Sequence, residues 1–422
     1  MMTLIVAQKQ MNLPMLIVVA SSAIALASCG NVLGAKAAEM RSQNSTRTFA
    51  DWCREKDALS SETKNTVEVL LQQAETTECD AANQKLSSLT ELNLYNSQIS
   101  DIRPLESLTN LTVIYLDNNQ INDLKPLESL INLIQLSLFD NKISDIKPLE
   151  SLTNLTSLDL RNNQINDIKT LQSLTKLTSL RLSENHISDI KPLQFLTKLT
   201  SLDLNNNLLS DIKLLPFLTN LTSLSLRDNQ ISDIKPLESL TNLISLFLEN
   251  NQISDIKPLE SLTNLDSLLL ENNKIRDIKP LQRLTNLTSL SLRDNQISDI
   301  QPLQSLTKLT GLNLDNNLLG DIKPLQSLIN MTQLSLTNNQ TSDIQPLQSL
   351  TKLEWLFLDN NQISDIKPLQ SLTSLELLFL RNNQLSDIKP LQSLTKLTYV
   401  YLSGNPIAPK TCPLKSESIC NW

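Results

Sequence analysis

Aspartate recurs at one position of a 22-residue period, and a row of carboxylates is what a metal site or an acid–base pair needs. The row begins at Asp101, Asp123 and Asp145 and continues to Asp387, giving fourteen copies. Most copies precede a short segment that contains Pro-Leu. Asp in such a place accepts hydrogen bonds from backbone N–H groups of a turn, and Pro fits the first turn of a helix. The identical register of all copies therefore predicts structural caps.

Other catalytic chemistry has few residues to draw on. The chain has one histidine, His186, which excludes most zinc sites, Ser–His–Asp triads and histidine-based acid–base schemes. No nucleophile with a neighbouring base is visible. The formal charge of −8, from 44 acidic and 36 basic residues, disfavours a nucleic-acid partner. We predict a protein that is not an enzyme and has neither a cofactor nor a metal ion.

Leucine marks the same period from residue 89 onward. Its copies are spaced by 22 residues without an insertion, and Met replaces Leu once. One unit reads LISLFLENNQISDIKPLESLTN, starting at Leu243. Self-similarity at such a period is typical of a solenoid, so the sequence predicts about fifteen stacked coils. Their first residues are Leu89, Leu111, Leu133, Leu155, Leu177, Leu199, Leu221, Leu243, Leu265, Leu287, Leu309, Met331, Leu353, Leu375 and Leu397.

Each position within the coil predicts a structural role. The Leu-x-Leu alternation, as in Leu246-Phe247-Leu248, predicts a short strand whose two leucines are buried. Where the chain turns after this strand, a recurrent Asn can satisfy backbone groups that lack ladder partners. The next six or seven residues are too few for a long helix, so we expect 3₁₀ or single α-turns. The predicted Asn ladder includes Asn119, Asn141, Asn163 and Asn251.

The pattern L-x-x-L-x-L-x-x-N-x-I resembles the leucine-rich repeat. The longer form N-x-I-S-D-I-x-P-L-x-x-L-T-N is similar to the repeat of bacterial internalins. The resemblance covers residues 87–405 and implies an α/β solenoid shaped as a horseshoe. Its parallel β-sheet is expected on the concave face and short 3₁₀ or α-turns on the convex face. The resemblance also implies a non-catalytic scaffold, because internalin-type proteins bind host or surface partners.

The N-terminus predicts export. Sixteen mostly apolar residues, from Leu13 to Ser28, are too short for a membrane span and resemble the core of a signal peptide, residues 1–28. The segment ends in Leu-Ala-Ser-Cys-Gly, which resembles the lipobox of bacterial lipoproteins and makes Cys29 the expected lipidation site. Residues 29–48 are then a flexible tether. Cleavage after Ala37, by an ordinary signal peptidase, is the alternative.

The four remaining cysteines lie in the expected caps of the solenoid. Residues 49–86 predict a helical N-terminal cap, a pair of short helices joined by a disulfide between Cys53 and Cys79. Residues 406–422 predict a C-terminal cap with little regular structure and a second disulfide, between Cys412 and Cys420. Disulfides persist outside the reducing cytosol, so both pairs agree with export. Four free thiols in a cytosolic protein are the alternative.

Aromatic residues depart from the repeat consensus and concentrate on the expected concave face. Positions 3, 5, 7 and 8 of each coil should project there, and they hold nine of the 14 aromatic residues. Six apolar residues on three successive strands predict one contiguous surface, here called the aromatic patch. Water-facing aromatic groups of this size mark partner sites, although the C-terminal cap could cover them instead. The patch comprises Trp355, Phe357, Leu377, Phe379, Tyr399 and Tyr401, and the other predicted concave aromatics are Tyr95, Tyr115, Phe139 and Phe247.

These observations predict an exported, non-catalytic scaffold that binds a protein or a glycan on its concave face. It is expected to be a monomer and to reach a membrane only through a lipid anchor, or else to be periplasmic or extracellular. An intracellular regulatory scaffold resembling leucine-rich-repeat phosphatase regulators is the alternative function. A third view is a recently expanded array in which the coils serve length and stability.

Overall fold

The computed structural model describes residues 47–422. The predicted signal peptide (residues 1–28), nearly all of the predicted tether and the expected lipidation site Cys29 lie outside the described residues. Within residues 47–422, no helix is long and apolar enough to cross a membrane.

One parallel sheet of 16 strands runs through the described chain, with the strands side by side in sequence order. Each of the first fourteen strands pairs with the strand 22 residues later, as Ser245–Phe247 does with Ser267–Leu269. The last pairing, of Val400 with Cys420, is offset by 20 residues. The strands are β1 (Glu91–Asn93), β2 (Val113–Tyr115), β3 (Gln135–Ser137), β4 (Ser157–Asp159), β5 (Ser179–Arg181), β6 (Ser201–Asp203), β7 (Ser223–Ser225), β8 (Ser245–Phe247), β9 (Ser267–Leu269), β10 (Ser289–Ser291), β11 (Gly311–Asn313), β12 (Gln333–Ser335), β13 (Trp355–Phe357), β14 (Leu377–Phe379), β15 (Tyr399–Tyr401) and β16 (Cys420–Asn421).

Short 3₁₀ helices return the chain on the opposite side of each coil. Most begin at the Lys or Gln that follows the Asp column and carry Pro at their second residue, as expected for so short a segment. They are Lys56–Ala58, Arg103–Leu105, Lys125–Leu127, Lys147–Ser151, Lys169–Ser173, Lys191–Phe195, Leu215–Phe217, Lys235–Ser239, Lys257–Ser261, Lys279–Arg283, Gln301–Ser305, Lys323–Ser327, Gln345–Ser349, Lys367–Ser371, Lys389–Ser393 and Glu417–Ile419.

The core consists of columns of leucine and isoleucine that run the length of the solenoid. In the coil that starts at Leu243, the side chains of Leu246, Leu248 and Ile253 are fully buried, as are their equivalents in the neighbouring coils. A single coil could not remove these side chains from water, so burial depends on stacking. The predicted fold, a leucine-rich-repeat solenoid with a parallel sheet and short 3₁₀ turns, is confirmed.

Three α-helices close the N-terminal end: α1 (Phe49–Arg54), α2 (Ser61–Ala74) and α3 (Cys79–Ser87). The sequence predicted two short helices in this cap, and the structure has three. Disulfide Cys53–Cys79 joins α1 to the start of α3. Helix α2 docks on the first coil through Thr66, whose hydroxyl donates a 2.7 Å hydrogen bond to the carbonyl of Asp101. The cap thus shields the first leucines from water.

The C-terminal cap contributes the last strand of the sheet, where little regular structure was expected. Strand β16 pairs with β15, placing Cys420 beside Val400 and Asn421 beside Tyr401. The N–H of Leu402 donates a 2.7 Å hydrogen bond to the carbonyl of Asn421. Disulfide Cys412–Cys420 holds this strand to the preceding loop. This pairing covers the edge of β15, whose unpaired backbone N–H and C=O groups could otherwise pair with another chain.

Candidate functional site

A buried Asn occupies the turn after the strand in nearly every coil, and Ser97 takes its place in the first coil. The Nδ2 of Asn251 donates to the carbonyls of Leu226, Leu248 and Glu249, at 2.9, 3.2 and 3.1 Å. Its Oδ1 accepts a 2.9 Å bond from the N–H of Ile231, in the preceding coil. Each ladder Asn thus joins two coils, and the same arrangement recurs at Asn119, Asn141 and Asn163.

The Asp column caps the convex turns, as predicted. All fourteen aspartates accept a hydrogen bond from the N–H two residues later, at 2.8–3.0 Å. Among residues 47–422, no group of His, Cys, Asp and Glu could hold a metal ion. Depressions between convex turns, such as one of about 560 Å³ lined by Asp233, Lys235 and Arg283, recur with the coils and mark turn spacing.

Position 8 of the coil is a turn residue, whereas the sequence had placed it on the concave face. Asn250 has φ 54°, and the equivalent residue of nearly every coil has a similar left-handed φ. Asn and Asp tolerate this conformation better than other residues with a Cβ. Their side chains form a second, outer ladder, in which Asn250 donates to Asp228 at 2.6 Å and Asn272 to Asn250 at 2.9 Å.

The aromatic patch lies on the sheet as two parallel columns. Residues at position 5 stack: the rings of Phe357 and Phe379 have centroids 4.8 Å apart, and those of Phe379 and Tyr401 are 4.5 Å apart. The in-register residues at position 3 are Trp355, Leu377 and Tyr399. Trp355 is 38% exposed and Tyr399 is 52% exposed. The structure therefore brings all six predicted residues together on one surface.

Charged groups border the patch on one side. The guanidinium of Arg381 lies 4.4 Å from the ring centroid of Tyr401 and 5.2 Å from that of Phe379. The guanidinium of Arg381 also forms an ion pair with the Asp359 carboxylate, at 3.9 Å. The backbone N–H of Arg381 donates a 2.7 Å hydrogen bond to the same carboxylate. Burial raises the pKa of Asp359, while these two contacts with Arg381 oppose the rise.

The other predicted concave aromatics lie away from the patch: Tyr95, Tyr115 and Phe139 belong to the first three coils, and Phe247 belongs to the eighth. Tyr115 lies on β2 and Phe247 on β8, both partly exposed. Phe139 lies under the guanidinium of Arg161, at 4.9 Å, and Arg161 makes a bidentate pair with the buried Asp159.

Acidic residues at position 7 form a feature that the sequence interpretation missed. Asp315 Oδ1 accepts hydrogen bonds from the Ser335 hydroxyl at 2.5 Å and from the Thr337 N–H at 2.7 Å. Asp117 makes the same two contacts near the other end of the sheet. Burial raises the pKa of Asp315, against the effect of both hydrogen bonds. The sequence held one signal for these contacts, a Ser twenty residues after each of the two acids.

The sequence matches the family described as Leucine Rich repeats (2 copies) in successive, partly overlapping segments from residues 87–129 to 373–415. The chain belongs to the leucine-rich-repeat family. Within that family its solenoid is internalin-like, on the structural similarities given below. The family is one of repeats and indicates no enzyme class.

Solved structures similar to this chain come from bacteria and plants. An internalin of Listeria monocytogenes (InlF) is 36% identical, with a TM-score of 0.68; the match covers 80% of this chain and 94% of that one. A leucine-rich-repeat protein of Leptospira interrogans is 31% identical, with a TM-score of 0.73, over 78% and 88% of the two chains.

A plant receptor is a third similar structure. The ectodomain of the Arabidopsis thaliana receptor kinase GASSHO1/SCHENGEN3 is 26% identical, with a TM-score of 0.64. The match covers 77% of this chain and 45% of that one, which was solved in complex with CASPARIAN STRIP INTEGRITY FACTOR 2. A comparison with curated protein sequences gave no match.

Proposed function

We propose that this protein is a monomeric, non-catalytic scaffold that binds a protein partner on the inner face of its sheet, through the aromatic patch. The observation that carries the proposal is the stacked column of Phe357, Phe379 and Tyr401 beside the exposed Trp355 and Tyr399. The largest contiguous apolar surface of a soluble monomer is often its interaction site. Aromatic side chains also dominate the energy of protein interfaces.

The C-terminal cap leaves the patch uncovered. Strand β16 pairs with β15 edge to edge and thus extends the sheet without folding over it. Tyr399, on the strand next to this cap, is 52% exposed. Among the described residues, the patch therefore has solvent in front of it, and a partner is the simplest reason to retain it.

The geometry of the rings favours a protein over a glycan. Phe379 is stacked on both sides, by Phe357 and by Tyr401, so neither of its faces is free. Sugars pack against free aromatic faces, which the stacked column offers only at its ends, whereas the ring edges along its middle and the neighbouring Leu377 suit apolar side chains. The Arabidopsis ectodomain, solved with a protein factor bound, provides a precedent for polypeptide binding by this fold.

The test compares partner capture by the full chain with capture by a variant in which Trp355, Phe357, Phe379 and Tyr401 are changed to Ser. We expect the variant to lose specific partners from membrane and extracellular fractions. The matched control changes four other exposed apolar residues to Ser, and it should retain the partners. Identical capture by the wild type and the patch variant contradicts the proposal. The control residues, each about half exposed, are Ile131, Phe195, Phe217 and Ile329.

We further propose that the protein is exported and anchored through a lipid on Cys29. The two disulfides, Cys53–Cys79 and Cys412–Cys420, support an oxidising compartment. Mass spectrometry of the mature N-terminus tests this proposal, and an acylated Cys29 is the expected result. An unmodified start at Ala38 excludes the anchor, and a full-length product with free thiols favours an intracellular regulatory scaffold instead.

A further inference from the structure

A depression of about 380 Å³ lies on the inner face next to the aromatic patch. Its floor is strand β11, where Gly311 stands in register between Ser289 and Gln333. A Cβ added to Gly311 would meet nothing within 4 Å, so the missing side chain leaves open space. We call this surface the Gly311 depression.

One wall of the depression is an aromatic ring. Phe357 lines it and ends the stacked column, since its neighbour on the other side is Phe379 and its in-register neighbour towards the depression is Ser335. The small serine leaves that side of the Phe357 ring uncovered by another aromatic group. The ring face of Phe carries negative electrostatic potential and attracts cations.

Two carboxylates, Glu271 and Asp315, also line the depression. Each uses one oxygen internally: Glu271 Oε1 accepts from the Ser291 hydroxyl, and Asp315 Oδ1 accepts from Ser335 and Thr337. Within the described part of the chain, no donor reaches Glu271 Oε2 or Asp315 Oδ2. Both carboxylates therefore keep one oxygen available to a ligand.

No cation of the described chain lines the depression. Arg293 lies between the two acids in the position-7 column, but its Nε is engaged by Asp294 at 2.9 Å. Burial raises the pKa of Asp315, while its hydrogen bonds to Ser335 and Thr337 and the charge of Arg293 oppose the rise. The depression thus combines an open volume, an uncovered ring face and two carboxylates that form no ion pair among the described residues.

We infer that the Gly311 depression receives an arginine or lysine side chain of the protein partner whose apolar residues cover the aromatic patch. Its cationic group lies against the Phe357 ring and pairs with the free oxygen of Asp315, whose carboxylate reaches Ser335 beside that ring. Glu271, nearer the far end of the depression, adds longer-range attraction. The inference rests on the proposed function and names the chemistry of the partner. Two strands separate Gly311 from Trp355, about 10 Å, which an extended chain spans in about three residues.

The test uses two short peptides as probes, titrated into the full chain by calorimetry. One is acetyl-Arg-Gly-Gly-Trp-amide, and the other replaces Arg with its neutral isostere citrulline. We expect the arginine peptide to bind about five- to tenfold more tightly, as befits one partly exposed cation–π contact with charge-assisted hydrogen bonds.

Variants test whether this preference for arginine arises in the Gly311 depression. Combining Glu271→Gln with Asp315→Asn should abolish it, because the new amides keep an oxygen for Ser291 and Ser335 but remove the charge. Asp117→Asn is the matched control, since Asp117 has the same internal contacts far from the depression. Gly311→Leu should also abolish the preference by filling the depression, whereas Gly320→Leu, at another open glycine, should not.

Equal affinity for the two peptides, or a preference that survives both Gly311→Leu and the double acid variant, overturns the inference. Binding of a chitin oligosaccharide that Gly311→Leu abolishes also overturns it, in favour of a sugar site. These outcomes are distinct from failure of the proposed function, which is a patch variant with unchanged partner capture. Loss of partners by that variant, without any arginine preference, leaves the proposed function in place and removes this inference alone.

Discussion

The Glu271 carboxylate accepts a 2.6 Å hydrogen bond from the hydroxyl of Ser291, twenty residues later. One coil earlier, Leu269 occupies the corresponding place relative to Glu249 and has no hydrogen to donate. Glu249 is 8% exposed, and its Oε2 has no hydrogen-bond partner among the described residues. Burial is the main reason that the pKa of Glu249 is raised, with Glu271 and Asp228 adding to the rise and Arg227 opposing it.

Glu249→Gln is expected to raise the stability of the protein at neutral pH by about 1 kcal/mol. At a pH below the ordinary Glu value, the folded and unfolded states are both protonated and burial of the group costs little. As pH rises through the higher pKa of the folded state, the unfolded chain has already released its proton, so the wild type loses stability and the variant does not. Urea unfolding at pH 4 and pH 7 measures the difference.

The neighbouring pair provides the control for this prediction. Glu271→Gln should give no gain at neutral pH, because Ser291 already satisfies one oxygen of the carboxylate. Leu269→Ser should recreate that pair for Glu249, and it should cost less stability in the wild type than in the Glu249→Gln background. A gain from Glu249→Gln that is the same at both pH values contradicts the burial argument.

Asn251→Ala is expected to destabilise the solenoid by about 3 kcal/mol. The substitution removes three donated bonds and one accepted bond, leaving buried backbone groups of two coils without partners. Thermal unfolding measures the loss, and Gln252→Ala, at the exposed next residue, is the control. A loss below about 1 kcal/mol would mean that water replaces the amide.

Glu184→Asn is expected to stabilise the protein by about 1 kcal/mol. Glu184 has φ 57°, at a position where most coils carry Asn or Asp. Asn accepts the left-handed conformation at lower cost, and its amide can join the outer ladder beside Asn162. Glu184→Gln removes the same charge without this conformational advantage, so equal gains from the two substitutions would assign the effect to charge alone. Urea unfolding midpoints of the two variants are compared.

Thr341→Ile is expected to stabilise the protein by about 1 kcal/mol, through the additional buried carbon. Thr341 is fully buried in a column otherwise made of Ile and Leu. Its hydroxyl donates to the carbonyl of Leu319, which also accepts the N–H of Gln340 at 2.9 Å and so keeps a partner after the substitution. Thr341→Val keeps nearly the same side-chain shape, so its effect on stability measures the contribution of the hydroxyl alone. A drop in Tm for Thr341→Ile would indicate overpacking.

The periodic part of the fold could be predicted because every coil repeats the same physical requirements. Leu246 and Leu248 alternate as a half-buried strand requires, and Asn251 follows at the turn, so strand and ladder were both predictable. The left-handed residue at position 8 was not recognised, because Asn250 and its equivalents are typical of exposed surface as well as of turns. Their role depends on φ, which the repeat pattern does not give.

Single departures from the repeat were harder to interpret. Strand β16 has two residues and no periodicity, and it forms because β15 offers an unpaired edge. The aromatic patch was predictable from in-register spacing, since residues 22 apart become neighbours, and its role in binding stays a prediction. The Gly311 depression was missed because Phe357 and Asp315, which line it, come from different coils. They form a depression only because Gly311, on its floor, has no side chain.

The in-register ladder has a mechanical consequence. Each strand hydrogen-bonds only to the strands immediately before and after it, so tension applied between the two ends passes through the coils in series. We expect rupture to proceed one coil at a time, starting at the end where a cap detaches. Every step releases 22 residues, at most about 75 Å of contour. Under tension we therefore expect the protein to lengthen in steps of nearly equal size.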